Sequence, residues 1–231
     1  MKEKWLLDSH RWPTVRYEDL EPRLRTGDVF LFHGASRRSR LIETVTESEF
    51  SHIGMIVRPH GGKPPLLWHT DPRAVTEDLE DGREHGGTQL NDLAAALAVM
   101  TSPGYGDTPF VRQLIVDRTP EMDERALRAI AAEDNIPFPS LVKLIKEWML
   151  GWLHIATSEE RMDCAAVLAL TYQRMGLLPP EPPPNAYSPR DFSAQHMTLR
   201  LLRGATLGPQ LEVLWSGAGS EAFKNKPSPQ R

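Results

Sequence analysis

Apolar residues occur along the chain in short blocks separated by polar, glycine-rich or proline-rich segments. Three early blocks, at residues 28–32, 53–57 and 66–70, are rich in Val, Ile, Leu and aromatic residues, which is typical of β-strands. The sequence GGKP at 61–64 predicts a tight turn that joins the second and third blocks into a hairpin. Later blocks of the same character predict further strands at residues 110–117 and 211–215.

Apolar residues at three-to-four spacing predict helices in the second half of the chain. The best defined begins after Asp163, a residue type that caps helix N-termini, and ends near Gly176, which suits the left-handed position past a C-terminus. The other predicted helices cover residues 94–100, 123–133 and 141–153. We interpret the last, which is crowded with Leu, Ile and Trp, mainly as core, although the same spacing also fits an acyl-accepting groove.

Strands that pair early, helices in the middle and a late strand predict an α+β domain. We place this domain at residues 26–216, after an N-terminal extension at 1–25 that carries a short helix near residues 17–24. The sequence predicts a polar loop at residues 34–40 and a short helix at 41–46. The last residues, 217–231, have the composition of a disordered tail.

Composition and charge exclude some classes of function. The chain has 231 residues and a net charge of −4, which gives no electrostatic case for nucleic acid as a partner. A single cysteine excludes an internal disulfide. We find neither a signal-peptide pattern at the N-terminus nor a run of about 18 apolar residues that would span a membrane. We therefore expect a cytoplasmic protein.

The single cysteine, Cys164, lies at the start of the best-defined helix. Free amides and the helix dipole at this position favour a thiolate, which is the nucleophilic form of cysteine. The adjacent Asp163 opposes this effect unless it caps the helix. The alternative is that Cys164 is a small buried apolar residue.

Two histidines lie where they could serve such a cysteine as a base. His52 directly precedes the strand at 53–57, and His69 lies near the end of the next strand. A hairpin would place the two rings side by side, so that His69 accepts a hydrogen bond from His52 and orients it. Either histidine taken alone also fits an ordinary surface position. Because no Cys-x-x-Cys or His-Glu-x-x-His run is present, we expect no metal site and no cofactor.

Three runs together resemble the permuted NlpC-type papain-like superfamily: TGDVFLF at 26–32, SHIGMIV at 51–57, and DCAAVLALTYQRMGLL at 163–178. The resemblance is to its YiiX/YebB-like branch, with lecithin:retinol acyltransferase as a more distant relative. The segments GGTQLNDL at 86–93 and YSPRDF at 187–192 also match, so the resemblance covers about residues 24–195. The histidine strand precedes the cysteine helix, the reverse of papain. The implied fold is a small antiparallel sheet or barrel packed against helices.

The resemblance implies catalytic roles for three residues. Cys164 matches the nucleophile, His52 the general base, and His69 the third, polar position. That position is often acidic in this branch, so Asp71 is the substitute to consider first. The family's cysteine is usually followed by Ser-Glu, whereas two alanines follow Cys164 here. The backbone amide of Cys164 is the natural oxyanion donor.

The remaining predictions concern the substrate. We predict that Arg37, Arg38 and Tyr187 contact it, since Arg37 and Arg38, with Arg40, are suited to a carboxylate or phosphate. A solvated charged loop explains the arginines equally well. The expected function is a cysteine hydrolase that cleaves a small amide, peptide or lipid-like substrate through a thioester. The alternatives are a lipid-directed acyltransferase or phospholipase, and a non-catalytic binding module.

Overall fold

The computed structural model describes residues 12–34, 48–195 and 199–217. Within them the strands are β1 Thr14–Arg16, β2 Val29–His33, β3 His52–Val57, β4 Leu66–Asp71, β5 Gly87–Asp92, β6 Thr108–Arg112, β7 Leu114–Ile115, β8 Thr206–Leu207 and β9 Leu211–Leu214. The helices are α1 Tyr17–Leu20, α2 Leu93–Met100, α3 Pro120–Glu133, α4 Leu141–Trp152, α5 Cys164–Arg174 and α6 Pro189–Phe192, with 3₁₀ turns at Glu21–Arg23 and Pro184–Ala186.

Seven strands form one sheet in the order β1-β9-β6-β2-β3-β4-β5. All neighbours are antiparallel except β1 and β9, which run parallel. Strands β7 and β8 form a separate pair. The α+β class is therefore confirmed. The expectation of a small sheet or barrel needs correction, because the described strands form an open seven-stranded sheet with β1 and β5 at its edges.

Helices cover both faces of the sheet, as the packing of strand β2 shows. Val29 and Leu31 pack in a cluster with side chains of α3 and α5, whereas the alternating Phe30 and Phe32 pack in a second cluster with α1 and α2. A strand buried on both faces needs apolar residues at every position. This explains the uninterrupted apolar blocks in the sequence.

The predicted hairpin of β3 and β4 is confirmed, with Gly54 opposite His69 and Val57 opposite Leu66. Strand β5 was not predicted, because its residues read as a loop that leads into a helix. The strand expected at 110–117 divides into β6 and β7. The helix expected at 41–46 lies outside the described residues.

Local capping explains where α5 begins. Asp163 Oδ1 accepts hydrogen bonds from the backbone N–H groups of Ala165 (2.9 Å) and Ala166 (3.0 Å), as an N-cap residue does. The helix is held on the sheet by a hydrogen bond from Trp68 Nε1 on β4 to Thr171 Oγ1. Throughout the described ranges, every helix is too short or too polar to cross a bilayer.

Candidate active site

The β3–β4 hairpin brings His52 and His69 into contact. His52 Nε2 lies 3.0 Å from His69 Nδ1, and the two rings meet edge to face with their centroids 5.1 Å apart. Gly54 on β3 makes this packing possible, because a Cβ atom there would lie only 3.0 Å from His69 Cβ. The predicted contact between the two rings is therefore present.

Asn91 on β5 extends this contact to a third side chain. Its Oδ1 lies 2.8 Å from His69 Nε2, and its Nδ2 donates to the backbone carbonyls of Thr76 (3.4 Å) and Glu77 (3.1 Å). We call His52, His69 and Asn91 the histidine network. The sequence analysis did not predict Asn91 as a site residue, because it did not predict strand β5. The signal that could have identified it was a side-chain amide next to Leu90 in a run of residues suited to a strand.

The histidine network assigns a tautomer to each ring. Carbonyl oxygens only accept, so the Asn91 amide nitrogen faces Thr76 and Glu77, and its oxygen faces His69. His69 therefore carries its proton on Nε2 and accepts at Nδ1. His52 must then donate from Nε2, which leaves a lone pair on its Nδ1. Any proton or hydrogen bond that His52 accepts must therefore come to Nδ1.

Electrostatics keep both rings neutral. Burial lowers the pKa of His52 well below its ordinary value, and the neighbouring His69 and Arg73 lower it further. Burial also lowers the pKa of His69, although the hydrogen bond to Asn91 and the charge of Asp71 oppose this. The assignment of one proton to each ring therefore holds at neutral pH.

Cys164, the first residue of α5, reaches the start of β3. The Cys164 sulfur lies within hydrogen-bond reach of the backbone N–H of Ile53, the residue that follows His52. The backbone N–H of Cys164 makes no hydrogen bond to any residue in the described ranges. Its role as an oxyanion donor stays a prediction.

The thiol is protonated at rest. Burial raises the pKa of Cys164, the carboxylate of Asp163 raises it further, and the Ile53 N–H opposes both. Cys164 and His52 are each only 7% exposed. The resting pair is thus a neutral thiol and a neutral imidazole, in contrast to a preformed thiolate–imidazolium pair.

Cys164 and His52 approach from different sides of the sheet. Ile53 packs with α5 in one cluster, whereas His52 stacks beside Phe32, whose cluster lies on the other face. Among the described residues, no hydrogen bond joins the Cys164 sulfur to the His52 ring. The Cys164 sulfur therefore lies beside the backbone of Ile53, at the start of the interior strand β3, while the His52 ring lies on the other face of that strand.

The structure separates the other predicted residues from this group. Asp71 accepts a hydrogen bond from the backbone N–H of Arg73 (2.9 Å) and influences His69 through its charge alone. Tyr187 is 8% exposed and packs in the core against Phe192, with ring centroids 6.0 Å apart. The predicted substrate contacts at Arg37 and Arg38 lie outside the described residues.

Helix α4 is more exposed than the sequence indicated. Apolar side chains on and just after it project into solvent: Val142 is 80% exposed, Met149 57%, Trp152 75% and Leu153 62%. The interpretation of this helix as mainly core is therefore wrong for the face that carries these residues.

An open groove of about 850 Å³ lies at the same end of the sheet as Cys164. Its lining includes Pro72 and Gly86, which flank the paired ends of β4 and β5, together with Phe138 and Arg161. Arg161 precedes Cys164 by three residues. The groove therefore offers a mostly apolar surface with one cation, and neither Cys164 nor His52 is among the described residues that line it.

No protein-family model matches the chain, and neither does any curated protein. Among solved structures, the chain is similar to the metalloprotein YiiX from Escherichia coli O157:H7, with a TM-score of 0.45 and 20% sequence identity. The similarity covers 65% of this chain and 66% of that one, so about a third of each lies outside it.

Proposed function

We propose that the protein is a cysteine hydrolase that cleaves an amide or ester through a thioester on Cys164. The observation that carries the proposal is the histidine network, which leaves a basic lone pair on His52 Nδ1 next to the residue whose N–H meets the Cys164 sulfur. A base that is oriented by a second side chain is the arrangement that activates a nucleophile.

In the first half of the reaction, His52 Nδ1 accepts the thiol proton as the sulfur attacks the substrate carbonyl carbon. The carbonyl electron pair moves to oxygen, where the backbone N–H of Cys164 stabilises the negative charge. His52 then returns the proton to the leaving nitrogen or oxygen as its bond to carbon breaks. Because the resting thiol is protonated, proton transfer accompanies the attack and does not precede it.

In the second half, His52 removes a proton from water, and the hydroxide attacks the thioester carbonyl. The carbon–sulfur bond breaks, the acid leaves, and the Cys164 sulfur recovers its proton from His52. The step needs Nδ1 of His52 within hydrogen-bond reach of the sulfur. Because the two side chains approach from different sides of the sheet, one of them must reorient when substrate binds, which is when catalytic contacts often form.

The proposed substrate site is the groove lined by Phe138 and Arg161, at the end of the sheet where β3 begins. Its proline and phenylalanine surfaces fit an apolar chain, and Arg161 supplies a cation for a carboxylate of the substrate. These features suit a small amide, a peptide or a lipid-like acyl compound, the three classes expected from the sequence.

Acylation of the single cysteine tests the proposal directly. Wild type treated with an activated acyl ester should form one adduct on Cys164, detected by intact mass and released by hydroxylamine. Cys164→Ala should form none. His52→Ala should acylate about 100-fold more slowly, since it lacks the base. His60→Ala is the matched control, because His60 is an exposed histidine outside the network.

Equal acylation rates for His52→Ala and wild type would contradict the coupling of the two residues. Together with a cysteine that resists acylation, that result would favour the non-catalytic binding module, for which the burial of Cys164 is the supporting observation. Thermal melting of each variant separates a loss of chemistry from a loss of folding.

A second candidate function is acyl chemistry on lipids with the same residues. The exposed apolar side chains of α4 and its end favour it, because apolar helix faces with tryptophan bind the interfacial region of membranes. Trp152→Ala should weaken co-sedimentation with phospholipid vesicles, whereas Leu127→Ala, an exposed leucine on α3, should not. If wild type stays in the supernatant at every vesicle concentration, the lipid-directed function is wrong.

A further inference from the structure

The loop between β4 and β5 is docked onto β5 through one buried carboxylate. Asp78 Oδ1 accepts hydrogen bonds from the backbone N–H groups of Glu80 (3.0 Å) and Leu90 (3.1 Å), and Leu79 N–H donates to the Leu90 carbonyl (2.8 Å). These bonds occupy only one of the two carboxylate oxygens. The Asp78 side chain is 1% exposed, so its second oxygen has no access to bulk water.

That second oxygen faces two other potential ligands from the same loop. His85 Nε2 lies 3.1 Å from Asp78 Oδ2 and 3.5 Å from Asp81 Oδ2, and all three atoms lie within 4.8 Å of one another. Apart from their approach to each other, neither Asp78 Oδ2 nor His85 Nε2 has a hydrogen-bond partner in the part of the chain that the structure describes. A buried carboxylate oxygen without a donor is costly unless a cation neutralises it.

The orientation of His85 adds a second observation. Its Nδ1 lies 3.1 Å from the backbone carbonyl of Gly86, which accepts a hydrogen bond from the ring. A neutral imidazole that donates from Nδ1 presents a lone pair at Nε2. Histidines that bind metal ions are oriented in this way, with the other ring nitrogen donating to a carbonyl or carboxylate.

The surrounding charges favour a cation at this point. The carboxylate of Asp134 lies close enough to those of Asp78 and Asp81 to interact electrostatically with both. The cation already close by is Arg83, which contacts Asp81 Oδ2 from a side chain that is 71% exposed and able to swing away.

We propose that Asp78, Asp81 and His85 bind a divalent transition-metal ion of the Zn²⁺ type. Three ligands that each lie about 2.1 Å from a tetrahedral ion are about 3.4 Å apart, close to the two nitrogen–oxygen distances observed. One imidazole with two carboxylates suits Zn²⁺ better than Ca²⁺ or Mg²⁺, which prefer all-oxygen sites. Three protein ligands leave the fourth position to water.

The ion would also support the histidine network from a distance. Thr76 and Glu77, whose carbonyls hold the Asn91 amide, directly precede Asp78 in the same loop. Fixing the loop at Asp78, Asp81 and His85 holds those two carbonyls in place. The bound metal is therefore a positioning element for Asn91, and it takes no part in bond breaking.

Calorimetric titration of metal-free, tag-free protein with Zn²⁺ tests the site without reference to activity. Wild type should bind one equivalent, and His85→Ala and Asp81→Asn should each bind at least about tenfold more weakly. His60→Ala, an exposed histidine elsewhere, should bind as wild type does. Arg83→Gln should bind more tightly, because it removes a competing cation.

Cys164→Ala separates this site from the proposed active site. It should keep full Zn²⁺ binding, and Co²⁺ should give the same visible absorption in this variant as in wild type. The proposal is overturned if wild type binds no Zn²⁺, if His85→Ala binds it as well as wild type, or if Cys164→Ala abolishes binding. None of these results bears on whether Cys164 can be acylated.

Discussion

At the scale of single residues, the amide of Asn91 controls the protonation of His52 from two side chains away. The carbonyls of Thr76 and Glu77 orient the amide, the amide orients His69, and His69 accepts the proton carried by His52 Nε2. The two backbone carbonyls can only accept, and their role fixes the next donor and acceptor in turn, so no other assignment satisfies all four bonds with neutral rings. Asn91 is therefore a positioning residue.

Asn91→Ala should remove the tautomer preference of His52. The His69 ring then loses its acceptor and is free to rotate, so we expect acylation of Cys164 to slow about tenfold. Nitrogen-15 NMR of the imidazoles is the direct measurement: wild-type His52 should carry its proton on Nε2, and the variant should show a mixture. Asn135→Gly is the control, because Asn135 is exposed and its positive φ of 59° suits glycine. A variant with unchanged tautomers would contradict the assigned network.

Asp163→Asn should make Cys164 more reactive above about pH 6. The pKa of Asp163 is raised to about 6, by burial first and by the charge of Glu147, so its carboxylate is charged above that pH and raises the pKa of the adjacent thiol. Asparagine still caps the helix. Rates of iodoacetamide alkylation at pH 8 should therefore increase several-fold, and the two proteins should converge below pH 6. Equal rates at pH 8 would show that the carboxylate does not act on the sulfur.

At the scale of elements, α3 and α5 are joined through a buried carboxylate. Glu133, the last residue of α3, is 1% exposed, and its oxygens lie 2.7 Å from Arg174 Nη1 and 3.3 Å from Thr171 Oγ1. Burial raises the pKa of Glu133 to about 7, although Arg174 and Thr171 act in the opposite direction. The contact between the two helices should therefore depend on pH.

Glu133→Gln should remove part of the pH dependence of stability. A carboxyl group whose pKa is higher in the folded than in the unfolded protein stabilises the fold when protonated, fully below pH 4.5, and this contribution is lost as the pH rises through 7. One pKa unit corresponds to about 1.4 kcal/mol, so the wild-type free energy of unfolding should fall by a few kcal/mol over this range. Urea unfolding at pH 5 and pH 8 measures the difference.

The variant should show a smaller difference between the two pH values. Glu124→Gln, on the exposed face of the same helix, should keep the wild-type dependence. If Glu133→Gln and wild type lose the same stability between pH 5 and pH 8, Glu133 does not titrate in this window.

At the scale of the whole molecule, one arginine ties the C-terminal part of the chain to the sheet. Arg112, at the end of β6, donates to the backbone carbonyls of Phe192 (2.9 Å), Leu207 (2.8 Å) and Gly208 (2.9 Å). Beyond these carbonyls β9 pairs with β6 on one side and with β1 on the other. The two ends of the described chain are thus joined beside β6.

Arg112→Ala should destabilise the protein by about 3 kcal/mol, because three carbonyls lose their donor in a partly buried setting. Arg128→Ala, which removes an exposed side chain paired with Glu124 at 3.7 Å, should cost less than about 0.5 kcal/mol. Chemical unfolding measures both. Faster hydrogen exchange of β9 in Arg112→Ala, but not in Arg128→Ala, would show that β9 is the region destabilised. Equal stabilities of the two variants would contradict the proposed role of Arg112.

The sequence by itself determined the features that depend on neighbours along the chain. The cap at Asp163 and the spacing behind it identified the helix that starts at Cys164, and the turn at 61–64 identified the hairpin that joins His52 to His69. Capping and turn formation are local interactions, so they can be predicted from a single sequence.

Only the tertiary structure decided the chemistry of these residues. It placed Asn91 against His69, put the Cys164 sulfur at the Ile53 amide, and buried both groups so that the thiol and the imidazole are neutral at rest. It also packed the loop that carries Asp78, Asp81 and His85 against β5, which buried the Asp78 carboxylate. Hydrogen-bond partners and pKa values are set by burial and by contacts between distant segments, and neither is encoded in any short stretch of residues.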